Sequence, residues 1–414
     1  MSAAAAASHR QWSATGLTRN CVTTLARTVG AKSVLSAAVP SHHGETSAGL
    51  RRERTRGVAS ASYEAGNPAK SVVYRVLQTH LATFLQTAAA LDDTTSVPRF
   101  VEKELRAFLD WGVLARGLIR LHCSGCARDH VVGLSCKGRG FCPRCGGRRM
   151  AETAAHLVDH IIPRVPVRQW VLTLPHRWRY RIGYDHALCK RFLRVLGREL
   201  QAYHRSKTGY VGGHSGSVTF IQRFNSGLAL SPHFHLVALD GVFVEDATHG
   251  LRFIEAGEPS KLDVAEVVSA VHARIYSMLH RLGLEDEASE DALASDSPAL
   301  AACYAGSVHR RGALGAAAGK AIAKLGSDPH AQWGEHDRPR HGHYEGFDLH
   351  AGVAIGADDR QGLEHLLRYG ARSAIAGDRL HFTADGPVAL ELKRRYHDGT
   401  YTAGQVPSLA DKKH

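Results

Sequence analysis

The sequence has no apolar run near the length of about 18 residues that a membrane-spanning helix requires. Its N-terminus also lacks the hydrophobic core of a signal peptide. Acidic residues are scarce, since 39 Asp and Glu stand against 52 Lys and Arg and leave a formal net charge of +13. These absences argue against a membrane protein and favour a cytoplasmic protein whose partner is a polyanion such as nucleic acid.

The start of the 414-residue chain differs in composition from the rest. Residues 1–70 are rich in Ala, Ser, Thr and Arg, poor in acids and without helical or strand periodicity. We predict a disordered low-complexity tail there, with an organellar transit peptide or an overlong start-site assignment as alternatives. A helical segment is predicted over 71–118, because Leu and Val recur every four residues from Val73 to Leu85.

A mixed pattern of strands and helices over 151–400 predicts the main domain. The stretches RQWVLTLP, SVTFIQRF, HFHLVALDGVFV and GFDLHAGVAI are typical of strands, and the second and third are spaced as a hairpin. DDRQGLEHLLRYGAR has the periodicity of an amphipathic helix. Weaker signals over about 245–342 indicate an insertion between parts of one sheet, and 401–414 is a polar tail.

Five of the eight cysteines are clustered in one short segment. Cys123 with Cys126, and Cys142 with Cys145, form two Cys-x-x-Cys pairs separated by 15 residues. This spacing predicts four thiolates around a structural Zn²⁺, with a redox dithiol or plain core cysteines as the alternatives. Cys136 is a spare that could replace one ligand or be buried.

The knuckle segment, residues 119–150, is strongly basic. A rigid cationic segment suits contacts with phosphate groups, and a solvated basic face is the alternative. The candidate DNA contacts are Lys137, Arg139, Arg144, Arg148 and Arg149.

Two histidines lie one residue apart in SPHFHLVALDG. On a strand alternate side chains share a face, so His233 and His235 project together while Phe234 and Leu236 face the core. Two imidazoles so placed can chelate one metal ion, and a hydrogen-bonded structural pair is the alternative. Tyr369 lies off the apolar stripe of the later helix, so it is less suited to a core position.

These features together resemble an HUH single-strand endonuclease, and more closely the rolling-circle transposases of the insertion sequence 91 family. The resemblance rests on the cysteine segment from CSGC to VLTLPHRWRYR, then GSVTFIQRF with HFHLVALDGVFV, and finally GFDLHAGVAI with LEHLLRYGAR. It implies an α+β fold with a central antiparallel sheet, flanking helices and a relation to the RNA-recognition-motif fold. A helical and zinc-knuckle N-terminal region would precede this core.

The resemblance also implies a chemistry. Tyr369 would attack single-stranded DNA and leave a 5′-phosphotyrosine, while Mg²⁺ or Mn²⁺ held by His233 and His235 polarises the phosphate. Gln222 or His350 would be the third metal ligand. The DNA would be single strands at the ends of the protein's own mobile element and at the target, in the bacterial cytoplasm at the nucleoid. Arg372 would bind phosphate or be a helix C-terminal charge.

The sequence departs from this family in two ways. One branch carries two tyrosines four residues apart, but His365 occupies the earlier position, so we expect a single-tyrosine enzyme. The chain ends soon after LKRRYHDGT and lacks a proline pair after the tyrosine helix, which indicates C-terminal truncation. A catalytically inactive, zinc-dependent DNA-binding remnant is therefore the alternative function, and a small-substrate metallohydrolase is a third.

Overall fold

The structure is a computed structural model and describes eleven stretches of the chain. They are residues 68–91, 97–123, 128–136, 141–246, 250–284, 291–322, 324–325, 339–375, 379–384, 388–392 and 402–406. Nearly all of the predicted N-terminal tail and the end of the polar C-terminal tail lie outside them, as do Cys126, Lys137 and Arg139. No helix within these stretches is both long and apolar enough to cross a membrane.

Helices and one hairpin form the region around the cysteines. Its elements are α1 (Val72–Ala89), α2 (Arg99–Leu109), β1 (Leu118–Cys123), β2 (Arg128–Gly133) and α3 (Pro143–His156). α1 begins where the Ser71 hydroxyl accepts a hydrogen bond from the Tyr74 amide, so a side chain satisfies one of the amides at the helix start. α1 includes the residues from Val73 to Leu85 in which Leu and Val recur every four residues.

The main domain alternates strands and helices. It begins with β3 (Val167–Thr173), α4 (His176–Tyr184), α5 (His186–Thr208), β4 (Ser217–Phe224), β5 (Leu230–Leu239), β6 (Gly241–Asp246) and β7 (Gly250–Glu255). It continues with α6 (Lys261–Arg281), α7 (Ala292–Asp296), α8 (Pro298–His309), β8 (Lys324–Leu325), β9 (His341–Tyr344), β10 (Phe347–Ile355), α9 (Arg360–Gly370), β11 (Leu380–Phe382), β12 (Val388–Glu391) and β13 (Thr402–Val406).

A five-stranded sheet organises the main domain. Its strand order is β4-β5-β3-β10-β9, and every neighbouring pair is antiparallel. β4 and β5 form the predicted hairpin, with Gln222 directly opposite His233. The mixed helix and sheet class with a central antiparallel sheet is thus confirmed, and the relation to the RNA-recognition-motif fold stays a prediction.

The two faces of this sheet bury different helices. Trp170, Phe234 and Leu349 project to one face and pack with the apolar sides of α5 and α6. Val218 and Val237 project to the other face and pack with apolar side chains of α9 and α3. Since alternate residues of β5 share a face, the histidines of this strand lie on the side that α9 covers.

The stretch HFHLVALDGVFV is not the single strand that its composition indicates. The structure divides it at Asp240, and β6 pairs with β7 in a separate two-stranded sheet. A side chain at Gly241 would place its Cβ 2.1 Å from the Ile254 carbonyl oxygen, so the close approach of these backbones requires glycine. The weak-signal stretch that follows is not peripheral throughout, because α6 belongs to the main core.

A buried ion pair lies at this division. The Nε–H of Arg168 on β3 donates a bifurcated hydrogen bond to both carboxylate oxygens of Asp240, and Nη2 donates to Oδ2 at 2.7 Å. Its Nη1 donates to the Ala351 carbonyl on β10 at 3.1 Å. One guanidinium on β3 therefore connects β10 with the junction between β5 and β6, where almost no water reaches it.

Asp240→Asn is expected to lower the free energy of unfolding by about 3–5 kcal/mol, because it leaves the Arg168 charge buried without an anionic partner. Urea unfolding, monitored by circular dichroism, measures this loss. Glu152→Gln is the control, because its pair with Arg148 is exposed to solvent and should change the free energy of unfolding much less. Equal losses of unfolding free energy in Asp240→Asn and Glu152→Gln would contradict the prediction that the buried Arg168 charge needs its anionic partner.

Candidate active site and cysteine cluster

The two histidines of β5 lie on the same face, as their spacing predicts. The ring centroids of His233 and His235 are 5.0 Å apart. Phe234 and Leu236 project to the opposite face and are completely buried. Apolar packing on one side of the strand therefore holds both imidazoles on the other.

Each imidazole can present a nitrogen lone pair. His233 Nδ1 donates to the Ser231 carbonyl oxygen at 2.7 Å, which leaves Nε2 unprotonated in the neutral ring. Gln169 Nε2 on β3 donates to His235 Nδ1 at 3.2 Å, so in this orientation the neutral His235 ring carries its proton on Nε2. A half-turn of the Gln169 amide would place its oxygen against Nδ1–H and leave Nε2 as a lone pair. That Nε2 is buried and has no hydrogen-bond partner within the described residues.

Burial keeps both rings neutral. It is the largest cause that lowers the pKa of His235 to about 3, and the neighbouring His233 and Arg372 contribute further. Burial also lowers the pKa of His233, as do the charges of Arg372 and Arg179, whereas the hydrogen bond to Ser231 opposes them. Neutral imidazoles are the form that binds metal ions, so the donors suit a divalent ion at neutral pH.

Tyr369 reaches this face from α9. Leu363, Leu366 and Leu367 bury the apolar side of the helix, while 45% of Tyr369 is exposed, as its position off the stripe predicts. The Tyr369 and His235 ring centroids are 5.7 Å apart. The fold thus brings together a tyrosine and two histidines that are distant in sequence.

Gln222 connects the sheet to the end of α9. Its Nε2 donates to the carbonyl oxygens of Tyr369 and Gly370 at 3.0 and 3.1 Å, and its Oε1 accepts from Arg372 Nη2 at 3.2 Å. The Arg372 guanidinium carbon lies 4.2 Å from the centroid of the Tyr369 ring, in cation–π contact. Its Nη1 is buried and has no hydrogen-bond partner among the described residues.

His350, the other candidate third ligand, lies on β10. It faces Val171 of β3, which in turn pairs with His235, so one strand separates the two histidines. Its Nε2 is 2.9 Å from where a Cβ at Gly352 would stand, which places the ring against that glycine. Within the described residues, His233 and His235 have no third His, Cys, Asp or Glu that would complete a group with all ligand atoms within 4.8 Å of one another.

Gln169 is the site residue that sequence reasoning missed. It lies in RQWVLTLP, where a buried amide in an otherwise apolar strand was the available signal. Strand periodicity alone could not show that its neighbour would be His235, because the pairing of β3 with β5 is set by the tertiary fold.

Three cysteines form a separate cluster at the start of α3. The ligand atoms of Cys136, Cys142 and Cys145 all lie within 4.8 Å of one another. Cys142 is the N-cap of α3, and the Cys145 amide lies 3.5 Å from its sulfur. A hydrogen bond from Cys136 is the main cause that lowers the pKa of Cys142 to about 6, which favours the thiolate that zinc binds.

This cluster agrees in part with the predicted four-cysteine set. Cys142 and Cys145 meet as predicted, and Cys136, the spare of the sequence pattern, joins them. The side chain of Cys123 and all of Cys126 lie outside the described residues. Three sulfurs with one lowered pKa are a donor set that fits Zn²⁺.

The predicted basic contacts have different surroundings. Arg144 is exposed, with its guanidinium carbon 5.5 Å from the centroid of the Trp111 ring. Arg148 pairs with Glu152 across one turn of α3, and Arg149 is half-buried on the same helix.

Two family models match the chain. Residues 76–174, which include the cysteine cluster, match the model described as "Transposase zinc-binding domain". Residues 216–408, which include the histidine strand and α9, match the model described as "Putative transposase". No curated protein and no solved structure matches the chain. Because the two matches together cover most of the sequence in the expected order, this chain belongs to the insertion sequence 91 family of rolling-circle transposases.

Proposed function

We propose that this transposase nicks and rejoins single-stranded DNA through a 5′-phosphotyrosine on Tyr369, with a divalent metal ion held by His233 and His235. The observation that carries the proposal is the position of the Tyr369 ring, 5.7 Å from a buried histidine whose Nε2 lacks a partner within the described residues. A half-exposed tyrosine beside two neutral imidazoles combines a nucleophile with metal ligands.

The covalent step exchanges one ester bond for another. The phenol oxygen of Tyr369 forms a bond to phosphorus while the bond from phosphorus to the 3′ oxygen breaks. The phenol proton is lost to solvent, and the departing 3′ oxygen gains a proton. Because the new bond keeps the ester energy, a second 3′-OH can reverse the step and join strands without ATP.

His233 and His235 would hold the Mg²⁺ or Mn²⁺. When bound, this ion supplies Lewis-acid stabilisation of the charge on the phosphate. His350 remains the candidate for a third protein ligand.

The charges around the histidines support an anionic substrate. Arg372 and Arg179 are near enough to lower the pKa of His233, and Arg372 Nη1 has no partner among the described residues. A phosphate group would supply that partner and offset both charges. The net charge of +13 favours binding to DNA, which we propose is single-stranded and derives from the element ends and the target.

The cysteine cluster would have a structural role. We assign Cys136, Cys142 and Cys145 to a Zn²⁺, and Cys123 and Cys126 stay candidate ligands. With one of these as the fourth ligand, such a site would contribute folding energy and keep no open position for a substrate. Exposed arginines on α3 would place this zinc-stabilised surface against the phosphate backbone.

The test is covalent capture of DNA by the full chain. Labelled single strands from the flanks of its own gene are incubated with Mn²⁺ or Mg²⁺, and denaturing gels detect a protein–DNA adduct. We expect an adduct that EDTA prevents, with the remaining nucleotide mapped by mass spectrometry to the peptide that contains Tyr369. Salt-sensitive binding without an adduct under any cation would instead support the inactive DNA-binding remnant.

A further inference from the structure

We propose that Gln222 is a positioning residue that aims Tyr369 and Arg372, and not a ligand of the metal ion. This inference rests on the proposed function, because it assigns a role within the same site. Gln222 is one of the two candidates for the third metal ligand, and the inference assigns it a hydrogen-bonding role instead of metal binding.

The first argument is that every polar atom of the Gln222 amide is engaged. The side chain is buried on β4, and its two N–H groups have two acceptors, the carbonyl oxygens of Tyr369 and Gly370. Its only acceptor atom, Oε1, receives a hydrogen bond from Arg372. Since an amide nitrogen offers no lone pair, a metal ion could bind only the second lone pair of Oε1, beside the guanidinium of Arg372 that already donates to the first, and the two positive charges would repel each other.

The second argument is the location of these contacts. The carbonyl groups in the last turn of a helix have no hydrogen-bond partner within the helix. Gln222 donates to two of these groups at the end of α9, those of Tyr369 and Gly370. Gly370 packs so tightly on β4 that a Cβ there would lie 2.6 Å from the Phe220 ring. The end of α9 is thereby held on the strand that pairs with the histidine strand.

The third argument concerns Arg372. One of its amino groups is held by Gln222, and its guanidinium stacks on the Tyr369 ring. The other amino group is buried near the histidine pair and has no partner within the described residues. Gln222 therefore orients the phenol ring and the guanidinium relative to each other, and a nucleophile fixed beside a cation favours attack on an anionic phosphate.

The experiment compares Gln222→Ala and Gln222→Glu with the wild-type full chain. We measure kcat and KM for adduct formation on a single-stranded oligonucleotide, and Mn²⁺ affinity by isothermal titration calorimetry. We expect kcat to fall between about 10-fold and 10²-fold in both variants, as for a misplaced reacting group, with KM and Mn²⁺ affinity changed less than about twofold. Glutamate fails as well because it cannot donate to the two carbonyl groups.

Gln201 supplies a matched control. Its amide also bridges two backbone groups, donating to the Gly213 carbonyl at 3.0 Å and accepting from the Ser215 amide at 3.1 Å. Gln201→Ala and Gln201→Glu should lower thermal stability without changing kcat at temperatures well below unfolding. A fall of kcat specific to position 222 would separate positioning from a general loss of structure.

Three results would overturn the inference. Mn²⁺ affinity that falls at least tenfold in Gln222→Ala and returns in Gln222→Glu would identify a metal ligand. A wild-type kcat in both Gln222 variants would show that the contacts have no catalytic consequence. Absence of any adduct in the wild-type protein would remove the proposed function itself, and this outcome is distinct from the other two.

Discussion

Phenylalanine at position 369 is expected to abolish covalent attachment of DNA. The substitution removes only the hydroxyl oxygen that would bond to phosphorus, so the rate of adduct formation should fall by at least about 10³-fold, as for other removed nucleophiles. Because the ring is half-exposed, the free energy of unfolding should change by less than about 1 kcal/mol. Denaturing gels of single-turnover reactions measure the rate, and urea unfolding measures stability.

DNA binding should survive this substitution. The Arg372 guanidinium can stack on phenylalanine as it does on tyrosine, and the histidine pair is unchanged. Fluorescence anisotropy should therefore give the same affinity for single-stranded DNA within about threefold, since the phosphate contacts that dominate affinity remain. A joint loss of binding and cleavage would point to a folding defect.

Two other tyrosines provide matched controls. Tyr210 and Tyr344 are 40% and 42% exposed, close to the 45% of Tyr369, but neither lies on α9. Tyr210→Phe and Tyr344→Phe should keep the wild-type rate of adduct formation. If the adduct persists in Tyr369→Phe and disappears in one of the controls, the nucleophile is that control tyrosine and not Tyr369.

Local periodicity was sufficient to predict the elements that carry the site. Alternation in β5 placed His233 and His235 on one face, and the apolar stripe of α9 separated Tyr369 from the buried leucines. These patterns depend on neighbours three or four residues apart at most, so they can be read directly from the sequence.

Contacts between distant strands could not be predicted in this way. Asp240, where the strand ends, pairs with Arg168, 72 residues earlier, and Gln222 contacts a helix end 147 residues later. An alternating pattern predicts a strand but does not indicate where a buried ion pair ends it. The same limit explains why the sequence left Gln222 as a candidate metal ligand on the strand beside the histidine strand and could not indicate its contacts with α9 and Arg372.

The cysteine cluster shows the limit of spacing rules. Two Cys-x-x-Cys pairs are a strong indication of zinc, but spacing does not decide between five cysteines for four positions. In the structure Cys136 contacts the pair at the start of α3, with its sulfur 3.6 Å from that of Cys145. Spacing therefore predicts that zinc binds better than it predicts which cysteines bind it.

Cys142→Ser is expected to remove bound zinc from the protein. Cys142 is the most buried of the three clustered cysteines and the one whose pKa is lowered to about 6. Structural zinc binding is worth on the order of 10–16 kcal/mol in small zinc domains, and loss of a thiolate removes a large share of it. Zinc content, measured by elemental analysis after gel filtration, should fall from about one ion per chain to under about 0.1. Cys303 lies on α8 and is not part of the cluster, so Cys303→Ser should retain its full zinc content.

Loss of zinc should also reduce DNA cleavage, because the cluster and the tyrosine helix share a boundary. A Cβ at Gly146 of α3 would lie 2.7 Å from the Ser373 side chain, three residues beyond the end of α9. Ile375 packs in the same apolar cluster as Cys142. Once zinc is lost, the three cysteines no longer hold the start of α3 in place and the segment after Arg372 loses its support, so kcat should fall at least about tenfold. Full zinc in Cys142→Ser would contradict the ligand assignment, and a wild-type kcat in the zinc-free variant would show that the two sites act independently.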